Sequence, residues 1–198
     1  MITRQEAWKL FSEHNKDPQH IRHAIAVEAA MRAYARKYGE DEEMWGAVGL
    51  VHDFDYERYP SMDPGVPDDE KHCLAGAAIL RQRGWPDEMV RAVLSHATYS
   101  GVKPQTRMEK ALYAVDELTG LVTAVALVRP SKNIADVNVK SVRKKWKDRA
   151  FAAAVNREEI EQATADLGVD LEEHIQVVLE ALQGIAPQLN LDGRLAQN

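Results

Sequence analysis

Six side chains of the kinds that bind metals interrupt apolar helical faces that are well separated along this 198-residue chain. Each lies within or at the end of a segment whose apolar residues recur at the i, i+3, i+4 and i+7 spacing of a buried helix face. Imidazoles and carboxylates are costly to bury unless they are paired or bind a metal. We therefore expect the fold to bring these side chains together around a common cation. The set comprises His23, His52, Asp53, His72, His96 and Asp116.

The prediction depends on the whole set, because a single histidine on an apolar face is more often a core residue that a backbone carbonyl satisfies. Asp116 is the most demanding member, since a carboxylate within an apolar helix needs a partner. A structural ion pair with an arginine is the alternative for this residue. The other three histidines have polar sequence surroundings and are predicted to be on the surface: His14, His20 and His174.

Helix start and stop signals recur along almost the whole sequence, and no strand pattern stands out. The fold class is therefore all-α, a single helical domain over residues 1–198 without a significant sheet. One long irregular loop, 53–67, carries several prolines, and loops of this length in a compact domain are often functional. The predicted helices are 4–14, 18–38, 40–53, 68–83, 86–97, 107–128, a basic helix near 139–149, 157–167 and 171–182.

Composition narrows the class of protein. The net charge of −6 disfavours a nucleic-acid partner, since such proteins are usually basic overall. The single cysteine, Cys73, is expected to be a small buried residue, and its isolation fits a protein of the reducing cytoplasm.

Residues 1–15 lack the apolar core of a secretory signal, and no apolar stretch reaches the roughly 20 residues of a membrane helix. We expect no membrane partner, and the sequence leaves the oligomeric state open, with a homo-oligomer possible.

The basic run Lys140–Arg149 has two interpretations. Its cations could contact a nucleic-acid backbone while Trp146 stacks on a base. However, Val139, Val142 and Trp146 fall at the spacing of one apolar helix stripe. We adopt the interpretation that this stripe docks a solvated surface helix, so nucleic acid is not among the expected partners.

The order of the six residues resembles the HD-domain superfamily of metal-dependent phosphohydrolases. Members of that family carry the ligand order H…HD…D, and dinuclear members carry H…HD…H…H…D, which is the order found here. The local strings at 52–59 (HDFDYERY) and 114–120 (AVDELTG) are similar to those of bacterial HD proteins. The resemblance covers residues 17–128 and implies an HD-domain-like core around a buried metal site. A helical extension at 129–187 and a frayed tail at 188–198 are expected to follow.

The resemblance implies that all six residues bind one or two divalent ions, with Asp53 bridging two of them. A mixed nitrogen and oxygen donor set suits Mn, Fe, Co, Ni or Zn, and Mg is also a candidate. We expect Asp53, which is placed to orient the attacking water, to act with His72 and His96 in catalysis. With a single ion, His72 and His96 would instead bind the substrate phosphate or line the cleft, and the other four residues would bind the metal.

The implied function is hydrolysis of a phosphate ester of a small metabolite or nucleotide by metal-activated water. Many dinuclear members continue the HD pair as HDIGK, whose lysine can contact a phosphate, but Tyr56 occupies that position here. Other cations, together with aromatic residues near the ligands, are therefore the candidates for substrate binding. These candidates are Tyr56, Arg58, Lys71, Tyr99, Arg129 and Lys132.

Two alternatives remain open at this point. Some dinuclear HD proteins hold two irons and activate oxygen, and the ligand set does not distinguish such an oxygenase from a hydrolase. A protein without catalytic activity could also use the metal only to stabilise a site for a nucleotide or a partner. A structural metal has a closed coordination shell, whereas a catalytic metal keeps an open position.

Overall fold

The computed structural model describes residues 2–196, which form nine α-helices, four short 3₁₀ helices and two isolated β-bridges without a strand. The prediction of an all-α fold is confirmed. None of the described helices combines the length and apolar character that a membrane span requires. The helices are α1 (Arg4–His14), α2 (Pro18–Tyr38), α3 (Glu42–Val51), α4 (Leu74–Gln82), α5 (Asp87–Ser95), α6 (Arg107–Leu127), α7 (Val139–Trp146), α8 (Arg157–Leu167) and α9 (Leu171–Gln183).

Local capping signals set most helix ends. Thr3 and Glu6 form a reciprocal capping box at the start of α1, and Thr106 and Glu109 form another at the start of α6. Gly39 ends α2 in the left-handed conformation with φ +68°, which glycine adopts without steric cost. Because these signals involve residues close in sequence, the predicted bounds of α1, α2 and α6 agree closely with the structure.

Helices α2 and α6 form the centre of the fold. Helix α2 packs against α3, α6 and α9, and α6 also packs against α5, α7 and α8. Gly49 allows α3 to approach α2 closely, since a Cβ there would lie 3.0 Å from the carbonyl oxygen of Val27. His23 lies on α2, His52 directly follows α3 and Asp116 lies on α6. The packing of the central helices therefore brings three of the predicted ligands together.

Residues 68–83 do not form the single helix that the sequence predicts. A 3₁₀ turn at Asp68–Glu70 is followed by an interruption, and α4 begins only at Leu74. Cys73 has φ +56°, and the N–H of Leu74 donates to the carbonyl of His72 at 2.8 Å, which is a γ-turn. A non-glycine residue at positive φ is uncommon and has no strong local signature, which is why the sequence pattern missed this break.

The C-terminal segment from Gln188 is not frayed over its described residues. Leu189 and Leu191 are buried, and the carbonyl of Leu191 accepts a hydrogen bond from the N–H of Ile134 at 2.8 Å. Over 188–196 the prediction of a frayed tail is wrong, because these apolar side chains pack on distant parts of the chain. Its last two positions, 197–198, lie outside the described residues. Helix α7 meets the expectation of a docked stripe, since Val142 and Trp146 are buried.

Two of the histidines that were predicted on the surface are buried. His174 on α9 accepts from the hydroxyl of Tyr34 at 2.5 Å and donates to the carbonyl of Ala114 at 2.9 Å, which links α9 to α2 and α6. Burial lowers the pKa of His174 to about 4, so the ring is neutral at physiological pH. The buried ring of His14 packs edge-on against Phe54. The prediction failed because the partners of both rings are distant in sequence.

Candidate metal centre

Asp53 lies at the centre of the histidine–aspartate cluster, the name used below for the six predicted ligands. Its Oδ1 atom is 3.0 Å from Nε2 of His72 and 3.1 Å from Nε2 of His96. Ligand atoms of these three residues all lie within 4.8 Å of one another. The imidazoles are almost fully buried, whereas the side chain of Asp53 is 27% exposed. This group of residues therefore opens to solvent at the carboxylate.

A second group lies against the other oxygen of the same carboxylate. Oδ2 of Asp53 is 3.3 Å from Nε2 of His52 and 3.7 Å from Nε2 of His23. Oδ1 of Asp116 is 3.0 Å from Nε2 of His23 and 3.4 Å from Nε2 of His52. Ligand atoms of His23, His52 and Asp116 also lie within 4.8 Å of one another. The structure thus brings together all six residues that the sequence selected.

The donor set of this cluster fits a divalent cation. Nε2 of His23 and Nε2 of His52 face each other at 3.2 Å, and both lie beside the same oxygen of Asp116. Imidazole nitrogens and carboxylate oxygens that converge on one point are the donors that Mn, Fe, Co, Ni and Zn take in proteins. The same side chains without a shared cation would have few good hydrogen-bond arrangements, since two imidazoles compete for each carboxylate oxygen.

Hydrogen bonds on the far side of each ring orient the buried imidazoles. Nδ1–H of His52 donates to the carbonyl of Gly49 at 2.7 Å, and Nδ1–H of His96 donates to the carbonyl of Val93. Nδ1–H of His72 donates to a carboxylate instead. With Nδ1 used in this way, the lone pair of Nε2 points at the cluster, which is the tautomer that a metal ligand needs.

Asp55 is the carboxylate that orients His72, and it was not among the residues predicted from the sequence. It is fully buried and accepts from Nδ1–H of His72 at 2.8 Å and from the N–H of Gly76 at 2.8 Å. A Cβ at Gly76 would lie 2.8 Å from Cγ of Asp55, so this contact requires glycine. The only sequence signal was a second aspartate shortly after the HD pair, within a segment that was interpreted as an irregular loop.

Asp55→Asn is expected to weaken binding of a divalent ion by roughly 10–100-fold, the usual effect of losing a carboxylate that supports a ligating histidine. Asparagine keeps the size of the side chain but removes the charge that holds the His72 ring. The affinity for Mn²⁺ can be measured by isothermal titration calorimetry, with the exposed Asp69→Asn variant as the matched control. Equal affinities of wild type and Asp55→Asn would contradict this role.

The carboxylates give the cluster a strong preference for positive charge. Burial by itself would lower the pKa of His72, but hydrogen bonds and charge from Asp53 and Asp55 raise it to about 9. Burial would also lower the pKa of His52, but the charges of Asp53 and Asp116 raise that pKa well above its usual range. Burial would raise the pKa values of Asp53 and Asp116, yet the charge of His52 holds both well below their usual range. Because a metal ligand must be a neutral imidazole, binding of a divalent ion here releases protons.

The two aromatic candidates for substrate binding lie at the cluster. The ring of Tyr56 packs edge-on against His72, with centroids 5.1 Å apart, and against the partly exposed His20 at 5.5 Å. The ring of Tyr99 lies 6.1 Å from that of His72. Both tyrosines therefore flank the group formed by Asp53, His72 and His96.

Two of the cationic candidates, Arg129 and Lys132, follow the C-terminal end of α6. Arg129 follows the C-terminal end of α6, and a rise of 1.5 Å per residue places it about 20 Å from Asp116 along the axis. Its guanidinium donates to Ser141. Lys132 lies further along the chain, and its ammonium is 3.4 Å from the carbonyl of Leu195. The described partners of both cations therefore lie outside the cluster, and their binding of the substrate stays a prediction that these contacts do not support.

The other two cationic candidates already have partners within the protein. Arg58 donates to the carbonyl of Glu13 at 3.0 Å, so its guanidinium lies against the end of α1. Lys71 precedes His72 in the chain, and its ammonium is 2.8 Å from Asp68. Of the four cations predicted to bind the substrate, Lys71 is the one next to a predicted ligand in the sequence.

The sequence model of the HD domain family matches residues 21–121, a stretch that contains the whole histidine–aspartate cluster. The chain belongs to the HD domain family. This HD domain is thereby a member of a superfamily of metal-dependent phosphohydrolases, as the order of the ligands predicted. No curated protein matches the chain. Among solved structures it is similar to the HD domain of the L. monocytogenes phosphodiesterase PgpH, with 16% sequence identity and a TM-score of 0.54. The alignment covers 93% of this chain and 98% of that one, and it supports the assignment of the fold.

Proposed function

We propose that this HD domain hydrolyses a phosphate ester of a small metabolite or nucleotide by means of two divalent ions. The placement of Asp53 carries the proposal. Its two oxygens face different sides, with Oδ1 beside His72 and His96 and Oδ2 beside His52. Each side has donors of its own, so two ions account for the arrangement better than one ion does.

The proposed ligands divide between two sites that share Asp53. One site would use His23, His52, Asp116 and one oxygen of Asp53, and the other would use His72, His96 and the second oxygen of Asp53. When bound, such a pair of ions neutralises phosphate charge and lowers the pKa of water. The second site would have few protein donors and hence open positions, which favours a catalytic role over a purely structural one.

The residues of the chain have distinct roles in this proposal. The rings of His52, His72 and His96 are buried, so they would exclude water from the inner side of the cluster. His23 and Asp116 are partly exposed, as is Asp53, so substrate and water would approach from their side. The carboxylate of Asp53, fixed between the imidazoles, would orient the attacking water.

The test is phosphate-ester hydrolysis under nitrogen by purified protein whose metal content has been determined by elemental analysis. After chelation and reloading with Mn²⁺, we expect the protein to hydrolyse p-nitrophenyl phosphate or bis-p-nitrophenyl phosphate. Removal of the metal is expected to abolish this activity. It should also lower the melting temperature, because a ligand that binds the native state stabilises it.

Other results would favour the alternatives. Iron that changes its redox state, oxygen consumption and no phosphate-ester cleavage would favour the oxygenase. Bound metal without either activity would favour a structural metal in a binding protein. A melting temperature that does not respond to chelation would contradict the metal site itself.

A further inference from the structure

A groove of about 290 Å³ runs between α2 and α6 and begins at His23 of the histidine–aspartate cluster. Gln19 and His23 line it near the cluster. The other lining residues are Arg22, Ala26, Gly120, Thr123, Leu127 and Leu189.

The groove adjoins the cluster at His23, one of its partly exposed residues. Gly120, Thr123 and Leu127 follow Asp116 at offsets that place all four residues on one face of α6. His23 and Ala26 are similarly related on α2. A phosphate held at the cluster would therefore have its ester substituent directed along the two helices.

Gly120 keeps the groove open. It lies within the 21-residue helix α6, where glycine is less favourable than alanine, and no atom lies within 4 Å of the position its Cβ would take. The absence of a side chain is therefore not required by packing against a neighbour. A larger residue at this position would project into the groove.

The lining indicates the chemistry of the occupant. Among the described residues that line the groove, none is acidic, and none has an aromatic ring besides the imidazole of His23. A nucleobase would have no further ring on which to stack there, and a cationic group would find no carboxylate. Leu127 is 42% exposed and offers aliphatic surface, while Arg22, the residue before His23, adds to the lining a guanidinium that could donate to phosphate oxygens.

We propose that this groove binds the leaving group of the substrate, and that the substrate is a phosphate ester of an aliphatic alcohol. This inference rests on the proposed function and narrows its substrate class. The phosphate would lie between the cluster and Arg22, and the alkyl part would contact Ala26, Thr123 and Leu127.

Isothermal titration calorimetry with Mn²⁺-loaded protein measures binding to the groove, and phosphate release is assayed after each titration to separate the heat of binding from that of hydrolysis. The probes are ethyl phosphate, n-hexyl phosphate and adenosine 5′-monophosphate. We expect n-hexyl phosphate to bind about 10-fold or more tightly than ethyl phosphate, because burial of the additional methylene groups is favourable. Adenosine 5′-monophosphate is expected to bind no more tightly than ethyl phosphate.

Gly120→Leu should remove the difference between the two alkyl phosphates, because its side chain fills the groove. Leu127→Ser should reduce the difference, and it also tests the groove if Gly120→Leu does not fold. Val128→Ser is the matched control, since Val128 is an exposed neighbour, 58% accessible, that does not line the groove.

Equal binding of the two alkyl phosphates, no measurable binding of n-hexyl phosphate, or preferred binding of adenosine 5′-monophosphate would overturn the inference. Chain-length-dependent binding without hydrolysis would support the groove and contradict the proposed function. Hydrolysis without any chain-length dependence of binding would support the proposed function and contradict the groove.

Discussion

Asp53→Ala is expected to abolish divalent metal binding and to reduce phosphate-ester hydrolysis by roughly 1,000-fold or more, the scale of losing a central electrostatic contribution to a transition state. The reason is geometric, since the two oxygens of this one carboxylate lie within hydrogen-bond distance of His72 and His96 on one side and close to His52 on the other. Among the described carboxylates, Asp53 is the one with oxygens near imidazoles of both groups, whereas Asp116 lies near His23 and His52 alone. The helical circular-dichroism signal should largely survive, because the helices are held by the surrounding apolar core.

The matched control is Asp69→Ala, which removes the same charge from an exposed position on the loop before α4. It should keep metal affinity and activity within about twofold of wild type, since isolated surface substitutions have small effects. Asp53→Asn provides a second test if the alanine variant does not fold. It keeps the shape of the side chain but only one carbonyl oxygen, so it should also lose the second ion. Full activity in Asp53→Ala would refute the assignment of the site.

Arg157→Met is expected to lower the free energy of unfolding by about 3 kcal/mol, because it leaves buried backbone carbonyls without donors. Arg157 is 2% exposed and is the first residue of α8. Its guanidinium donates only to backbone carbonyls of the segment 146–155, which joins α7 to α8. The acceptors are the carbonyl oxygens of Trp146, Asp148, Phe151, Ala152 and Val155. One side chain therefore organises a segment that has no regular secondary structure over most of its length.

Urea unfolding followed by circular dichroism measures this effect, and Arg149→Met is the control. Arg149 lies in the same segment but is exposed and paired with Glu158, so its replacement should change stability by about 0.5 kcal/mol or less. Arg157→Lys should fall between the two, since an ammonium keeps the charge but lacks the planar fork that reaches several carbonyls. A loss below about 1 kcal/mol in Arg157→Met would show that water replaces the guanidinium at low cost.

The helices with strong local signals were predictable from the sequence alone. The capping boxes at Thr3 and Thr106 and the glycine stop at Gly39 act through residues within one turn. The break before α4 was not predictable in the same way, because it depends on the positive φ of Cys73. The apolar periodicity of the sequence continues through Cys73, whereas the helical backbone is interrupted there.

The residues of the candidate metal centre were predictable as a set, and their supporting residues were not. Each predicted ligand was recognisable as a polar side chain on an apolar face, and the common order of the HD family reinforced the choice. Asp55 gave no such signal, because its role depends on its hydrogen bonds with His72 and Gly76, which only the folded chain brings together. The partners of the cations were equally hidden: Arg129 and Lys132 were chosen for their charge and for following the Asp116 helix, and only the structure shows that they contact Ser141 and Leu195.

The amino-acid sequence by itself determined most of the helices, the all-α class and the six candidate ligands, because these follow from side-chain type and from spacing within a few residues. Only the tertiary structure decided that His174 is buried, that Arg157 organises a connecting segment and that a groove leads away from His23. The physical reason is that the cost of burying a polar group depends on its partners. The partners of His174, Tyr34 and the Ala114 carbonyl, come from helices far away in the sequence.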